Sequence, residues 1–149
     1  MKDLEKMSPK QAYKHAFYDV GGRWLEGEAV IKTSPEWSFW YALDVVKGRW
    51  LEGEAVIMTI PRWIYWYAHD VIKGRWSEAE ATIKTSEIWA YQYARYIIKD
   101  RWVEGELTIM SDQECAYWYA RYIIKGRWPE AEAVIKTDPH FFDEYCKMF

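Results

Sequence analysis

The chain has 149 residues, 20 basic and 23 acidic side chains and a formal charge of −3, and 50% of it is hydrophobic. That size suits a single domain, 1–149, and that balance excludes a wholly disordered chain. Mild acidity without a basic block argues against double-stranded nucleic acid as a partner, and no apolar run approaches the roughly 20 residues that span a bilayer.

From the polar start MKDLEKMSPK, Ser8-Pro9 opens a first long helix: a hydroxyl cap, then proline at the first helical position. Gly22-Arg23-Trp24 ends that segment, and a short helix runs from there to about Ile31. Ser34-Pro35-Glu36 repeats the start signal. The apolar residues that follow, Trp37, Tyr41, Ala42, Val45 and Val46, fall on one face of a helix of about 14 residues, roughly 21 Å long. The face recurs as Trp63, Tyr67, Ala68, Val71, Ile72 and as Trp89, Tyr93, Ala94, Ile97, Ile98. Gly48, Gly74 and Gly126 stand where a helix ends in the left-handed conformation, with Asp100 as the departure. Ser86, Asp112 and Asp138-Pro139 supply later caps.

A fixed period of 26 residues underlies all of this. Tryptophans fall at Trp24, Trp50, Trp76, Trp102 and Trp128, each after arginine and each followed by x-Glu-x-Glu, and an isoleucine closes each short segment. The expected fold is all-α, a helical-repeat solenoid of long-plus-short helix pairs, with the tryptophan and isoleucine of each short helix as core anchors. Polar residues at both ends (Gln11, Lys14 and His15; Asp143 and Glu144) replace aromatics and suit capping helices.

The repeated charges invite a catalytic reading, with Glu130 as acid, Glu132 as base and Arg127 as anion clamp. A group present five times is better read as scaffold, so Arg49, Trp50, Glu52, Glu54, Arg75, Trp76, Glu78 and Glu80 are assigned to structure, each arginine pairing with a glutamate of its own or the neighbouring unit. Cys115, Cys146, His15, His69 and His140 follow no metal or disulfide spacing, and no phosphate-binding loop or hydrolase motif occurs. No catalytic residue, metal or cofactor is expected, and the cytoplasm is the expected setting.

The position 16 residues after each repeat tryptophan points away from the buried face and holds Trp40, Trp66, Gln92 and Trp118. Beside it on the wheel lie Leu43, His69, Arg95 and Arg121, and then Lys47, Lys73, Lys99 and Lys125. The candidate binding ridge is therefore Trp40, Trp66, Trp118, His69, Arg95 and Arg121. Tryptophan among cations suits a protein interface, or a stacking platform for a nucleotide-like planar ligand. The competing reading makes these tryptophans peripheral core.

The stretch Lys125-Gly126-Arg127-Trp128-Pro129-Glu130-Ala131-Glu132 resembles a GRWPEAE-type repeat of uncharacterised bacteriophage and bacterial proteins. Copies depart from it at the proline (Leu25, Leu51, Ser77, Val103) and at the first alanine (Gly27, Gly53, Gly105). The resemblance brings no catalytic residues. It implies a viral or mobile-element protein that binds and blocks a host protein, including one of the defence machinery.

Overall fold

The computed structural model describes residues 4–149, with backbone alone at Glu5. Among them there is no strand. After a 3-10 turn, Leu4–Lys6, eleven helices alternate long and short. The long ones are α1 (9–20), α3 (35–46), α5 (61–72), α7 (87–98), α9 (113–124) and α11 (Pro139–Met148). The short ones are α2 (Leu25–Ile31), α4 (Leu51–Ile57), α6 (77–83), α8 (Val103–Ile109) and α10 (129–135). This is the helical repeat that the 26-residue period predicts.

The chain forms two compact units, one reaching to Thr82 and the other Ile83–Phe149. In the first, α1 packs on α2 and α3, and α3 packs on α4 and α5. In the second, α7 packs on α8 and α9, and α9 packs on α10 and α11. Within their units, α1, α3, α7 and α9 therefore each touch both their own short helix and the next long one. Trp50, Trp76, Trp102 and Trp128 are no more than 2% exposed, and Ile31, Ile57, Ile83, Ile109 and Ile135 are fully buried. The expected core anchors are in place. Trp24 is half-buried, with the edge of His15 against it where later copies have tyrosine.

Side-chain caps are made by Ser8, Ser34, Asp112 and Asp138. Ser86 stands at its cap position but makes no capping bond, and Ile60 offers none. Proline at the first turn of α5 preorganises that helix without a polar cap.

Two features of the helices depart from the sequence expectation. First, the second half of α1, α3, α5, α7 and α9 is wound as a π-helix, so these helices run twelve residues rather than about fourteen. Ala16, Ala42, Ala68, Ala94 and Ala120 each accept the N–H five residues on, from Gly21, Lys47, Lys73, Lys99 and Lys125. Gly48, Gly74 and Gly126 then add a second N–H to the same alanine carbonyl, at 3.2, 3.1 and 3.4 Å.

Second, the chain reverses at the lysine, not at the glycine. Lys47, Lys73, Lys99 and Lys125 have φ of 58°, 59°, 61° and 56°, matching Gly21 at 72°. Gly48, Gly74 and Gly126 are not left-handed, which corrects the helix-end assignment. The five-residue closing bond finishes each helix one position earlier, and a cation there meets the negative end of the helix dipole.

The short helices sort by one residue. With glycine three positions after the tryptophan, the helix is α from its start, as in α2, α4 and α8. With alanine there (Ala79, Ala131), the first turn is 3-10. A Cβ built on Gly27, Gly53 or Gly105 would run into the ring of Trp24, Trp50 or Trp102. The alanine copies avoid that overlap by tightening the turn.

Candidate binding face

The repeated charges come together in a closed polar cage. Arg49 donates twice to Glu54, Nε to Oε1 at 2.8 Å and Nη2 to Oε2 at 2.9 Å. The Tyr67 hydroxyl donates to Glu54 Oε1 at 2.9 Å and accepts the Trp50 backbone N–H at 2.8 Å. The same set holds Arg23, Glu28, Tyr41 and Trp24, and Arg101, Glu106, Tyr119 and Trp102. Arg127, Glu132, Tyr145 and Trp128 repeat it with a single arginine bond, and Arg75 forks onto Glu80. The rings of Tyr41, Tyr67 and Tyr119 also pack on the tryptophan of their own repeat, as Tyr41 does on Trp50 with centroids 4.8 Å apart, and Tyr145 packs on Phe149 instead. One side chain thus ties two repeats through its ring and its hydroxyl.

The electrostatics follow from this geometry. Burial pushes the Glu28 carboxyl up, but the bonds from Arg23 and Tyr41 outweigh it and hold the group below the usual carboxylate range. The Arg127 and Tyr145 bonds do the same for Glu132. Burial pushes the Tyr41 hydroxyl up to about 12, and raises Tyr67 and Tyr119 further. These groups already have strong partners, so the cage serves as a joint between repeats.

Only the second glutamate of each pair takes part. Glu26, Glu52, Glu78, Glu104 and Glu130 are exposed. The arginines pair with the glutamate of their own repeat, and Arg23 also reaches Glu52 of the next at 3.9 Å, as Arg49 and Arg101 feel the charges of Glu78 and Glu130.

The ridge tryptophans Trp40, Trp66 and Trp118 are half-buried at the outer side of α3, α5 and α9. Position 15 after the repeat tryptophan, just before them, is the buried one: Phe39, Tyr65, Tyr91 and Tyr117 are at most 7% exposed. A single-face reading missed it because a long helix packs on two sides at once. In the first unit Trp40 and Trp66, with Phe39, Arg62, Trp63 and Asp70, line a groove of about 250 Å³. Arg62 lies over the Trp63 ring at 5.1 Å. His69 stacks beside Tyr65, meets Trp66 edge-on, and shares a 2.6 Å contact with Asp70.

In the second unit Arg95 and Arg121 are held by aromatics. Arg95 lies 3.8 Å from the Tyr122 centroid and donates to the Tyr91 hydroxyl at 2.6 Å. Arg121 donates to Tyr117 at 2.8 Å and lies over Trp118 and Tyr122. Trp118 and Tyr122 stack at 5.5 Å. Arg95, Gln92, Trp118 and Tyr122 belong to a cleft of about 530 Å³. The six ridge residues thus divide as Trp40, Trp66 and His69 in one unit and Arg95, Trp118 and Arg121 in the other.

Reading the sequence alone missed the tyrosine hydroxyls, although their signal is plain: Tyr41, Tyr67, Tyr93, Tyr119 and Tyr145 each stand 17 residues after a repeat tryptophan. Comparison with protein-family models, with curated proteins and with solved structures gave no match.

Proposed function

We propose that the protein is a non-enzymatic binding module whose half-buried outer tryptophans, Trp40, Trp66 and Trp118, engage a protein partner. One observation carries this reading: the cages consume the repeat arginine, the second glutamate and the tyrosine hydroxyl, while the aromatic positions beside them keep surface open to a partner. Partly exposed tryptophan flanked by ordered arginine has the composition of an interface hot spot. No described helix is long and apolar enough to cross a membrane. The GRWPEAE resemblance suggests a viral or mobile-element protein acting inside a bacterium, where blocking a host protein is the role proposed. A nucleotide-like anion has less support, because the larger cleft carries Glu87, Asp112 and Glu114 against Arg95 alone.

Paired variants test the reading. Trp66→Ala is expected to melt near the wild type, whereas Trp76→Ala, at a fully packed position, loses about 3–5 kcal/mol. With a partner captured from bacterial lysate and then purified, Trp66→Ala is expected to bind at least about tenfold more weakly in titration. Unchanged affinity would remove the tryptophan row from the interface. A melt as poor as that of Trp76→Ala would make it core.

A further inference from the structure

The strip where the long helices end differs between the two units. In the first, Leu43, Lys47, Asp70 and Lys73 line a groove of about 340 Å³ at the ends of α3 and α5. Two periods on, the same positions hold Arg95, Lys99, Tyr122 and Lys125, at the ends of α7 and α9. Their neighbours change in the same sense: Asp44 gives way to Tyr96, and His69 to Arg121. The first strip sets two lysines against two aspartates. The second sets two lysines and two arginines against Asp100, whose carboxylate accepts the Arg101 N–H at 2.7 Å. Both copies in the second unit carry the change, as Ala-Arg-Tyr-Ile-Ile-Lys.

The arginines of this strip are held differently from those of the cages. Arg23, Arg49, Arg75 and Arg101 each grip a glutamate between Nε and Nη2. Arg95 and Arg121 bond through Nη1 alone, to the hydroxyls of Tyr91 and Tyr117. Among the described residues no carboxylate pairs with either of them, nor with Lys99 or Lys125. Glu144 is near enough to act on Arg121, but it bonds Lys147. Trp118 and Tyr122 stack on each other and carry the two guanidiniums over their rings. These rings are supports. What the strip offers outward is the Nε–Nη2 edge, with which this protein takes carboxylates elsewhere.

We propose that the ends of α7 and α9 dock an acidic segment of a protein partner, its carboxylates meeting Arg95, Arg121, Lys99 and Lys125. The proposal rests on the partner-binding reading above and gives that partner its chemistry. Neighbouring helices lie roughly 8–10 Å apart, and a lysine four residues on adds about 6 Å, a spacing that successive acidic side chains can follow. Guanidiniums already fixed on rings lose little freedom when a carboxylate arrives. Single-stranded nucleic acid fits less well. Its bases need ring faces that the arginines already cover. Glu87, Asp112 and Glu114, at the other ends of the same helices, repel a phosphate chain laid along them.

The test is an anisotropy titration of the full chain, at low salt, with dye-labelled octaglutamate, octalysine and an eight-nucleotide oligothymidylate. Saturable binding of octaglutamate is expected, none of octalysine, and binding of the oligonucleotide at least about tenfold weaker. Arg95→Leu with Arg121→His restores the residues of the first strip. That variant is expected to bind octaglutamate at least about tenfold more weakly at unchanged helicity. Lys73→Gln, in the first unit, is expected to leave binding unchanged, which separates the strip from general attraction to the chain. Should the arginine variant fail to fold, Lys99→Gln with Lys125→Gln, at exposed positions, still decides by the same loss. Absence of octaglutamate binding, an oligonucleotide bound as tightly, or indifference to the substitutions overturns the proposal. If Trp66→Ala weakens partner binding while octaglutamate never binds, only the acidic docking falls. If octaglutamate binds as expected and Trp66→Ala keeps its partner, only the tryptophan row falls.

Discussion

At Tyr67 one hydroxyl oxygen satisfies both the buried Trp50 N–H and the Glu54 carboxylate. Removing it leaves two polar groups short of a partner, and an unmade buried bond costs more than a made one contributes. Tyr67→Phe is therefore expected to lose about 1–3 kcal/mol in denaturant melts, although the ring and its packing on Trp76 remain. A loss too small to measure would mean that water replaces the hydroxyl. The same chemistry sets a pH limit. Tyr41 titrates at about 12 in the fold, against about 10 in an unfolded chain. Its contribution is complete below about pH 10 and is lost as pH rises toward 12. Melting temperature is expected to fall above about pH 10, and a flat profile there would contradict the buried hydroxyl.

The left-handed lysines belong to the same scale. A side chain at positive φ costs roughly 1–2 kcal/mol that glycine avoids, and Gly21 already fills this position in the first copy. Lys73→Gly is expected to raise stability by about 0.5–1 kcal/mol, after the loss of the lysine's interaction with the helix end and the added freedom of the unfolded chain. Gly74→Ala, where a Cβ meets nothing, is expected to change little. Reversal of that order in thermal melts would return the helix end to the glycine.

At the scale of the element, much of the fold is legible in the residues and some of it is not. Repeat number, helix start signals and the anchors Trp50 and Ile57 follow from period and composition. The π-winding does not, because the spacing of Tyr41, Ala42, Val45 and Val46 fits an α-helix well enough, and no local residue announces a five-residue bond. The switch between Gly53 and Ala79 is visible as letters, but its meaning depends on where the Trp50 ring lies. That Trp40, Trp66 and Trp118 lie off the fully buried face is legible from the period; the cleft is not, because Gln92 and Cys115 are far apart in the sequence and line one cleft only once α7 and α9 pack. Gly53→Ala is expected to fold with the first turn of α4 converted to 3-10, as in α6 and α10, seen as a change in amide hydrogen-bond pattern by NMR. Unfolding instead would show that the ring of Trp50 cannot be accommodated.

For the molecule as a whole, the repeat is the natural length of change. Deleting 50–75 joins Arg49 to Trp76 and restores Gly-Arg-Trp with a glutamate in cage register. Deleting 50–62 joins Arg49 to Trp63 and puts Tyr67 where that glutamate belongs. The first variant is expected to remain helical with a cooperative melt, and the second to lose its melt, by circular dichroism. Similar behaviour of the two would deny that the cages hold register.

The cage also has a direction. The joints at Trp24, Trp50, Trp102 and Trp128 each take their arginine, glutamate and backbone N–H from one copy and their hydroxyl from the copy that follows, 17 residues after the tryptophan. Donor and acceptor halves therefore lie within less than one period of each other. A tandem duplication of 78 nucleotides, three for each of 26 codons, arrives with both halves of its new joint already encoded, wherever in the period the gene is cut. Lineages carrying such a gene can gain or lose copies by slipped replication without inventing an interface, and a copy so gained is free to drift at places such as Gln92 and Cys115, which no joint uses.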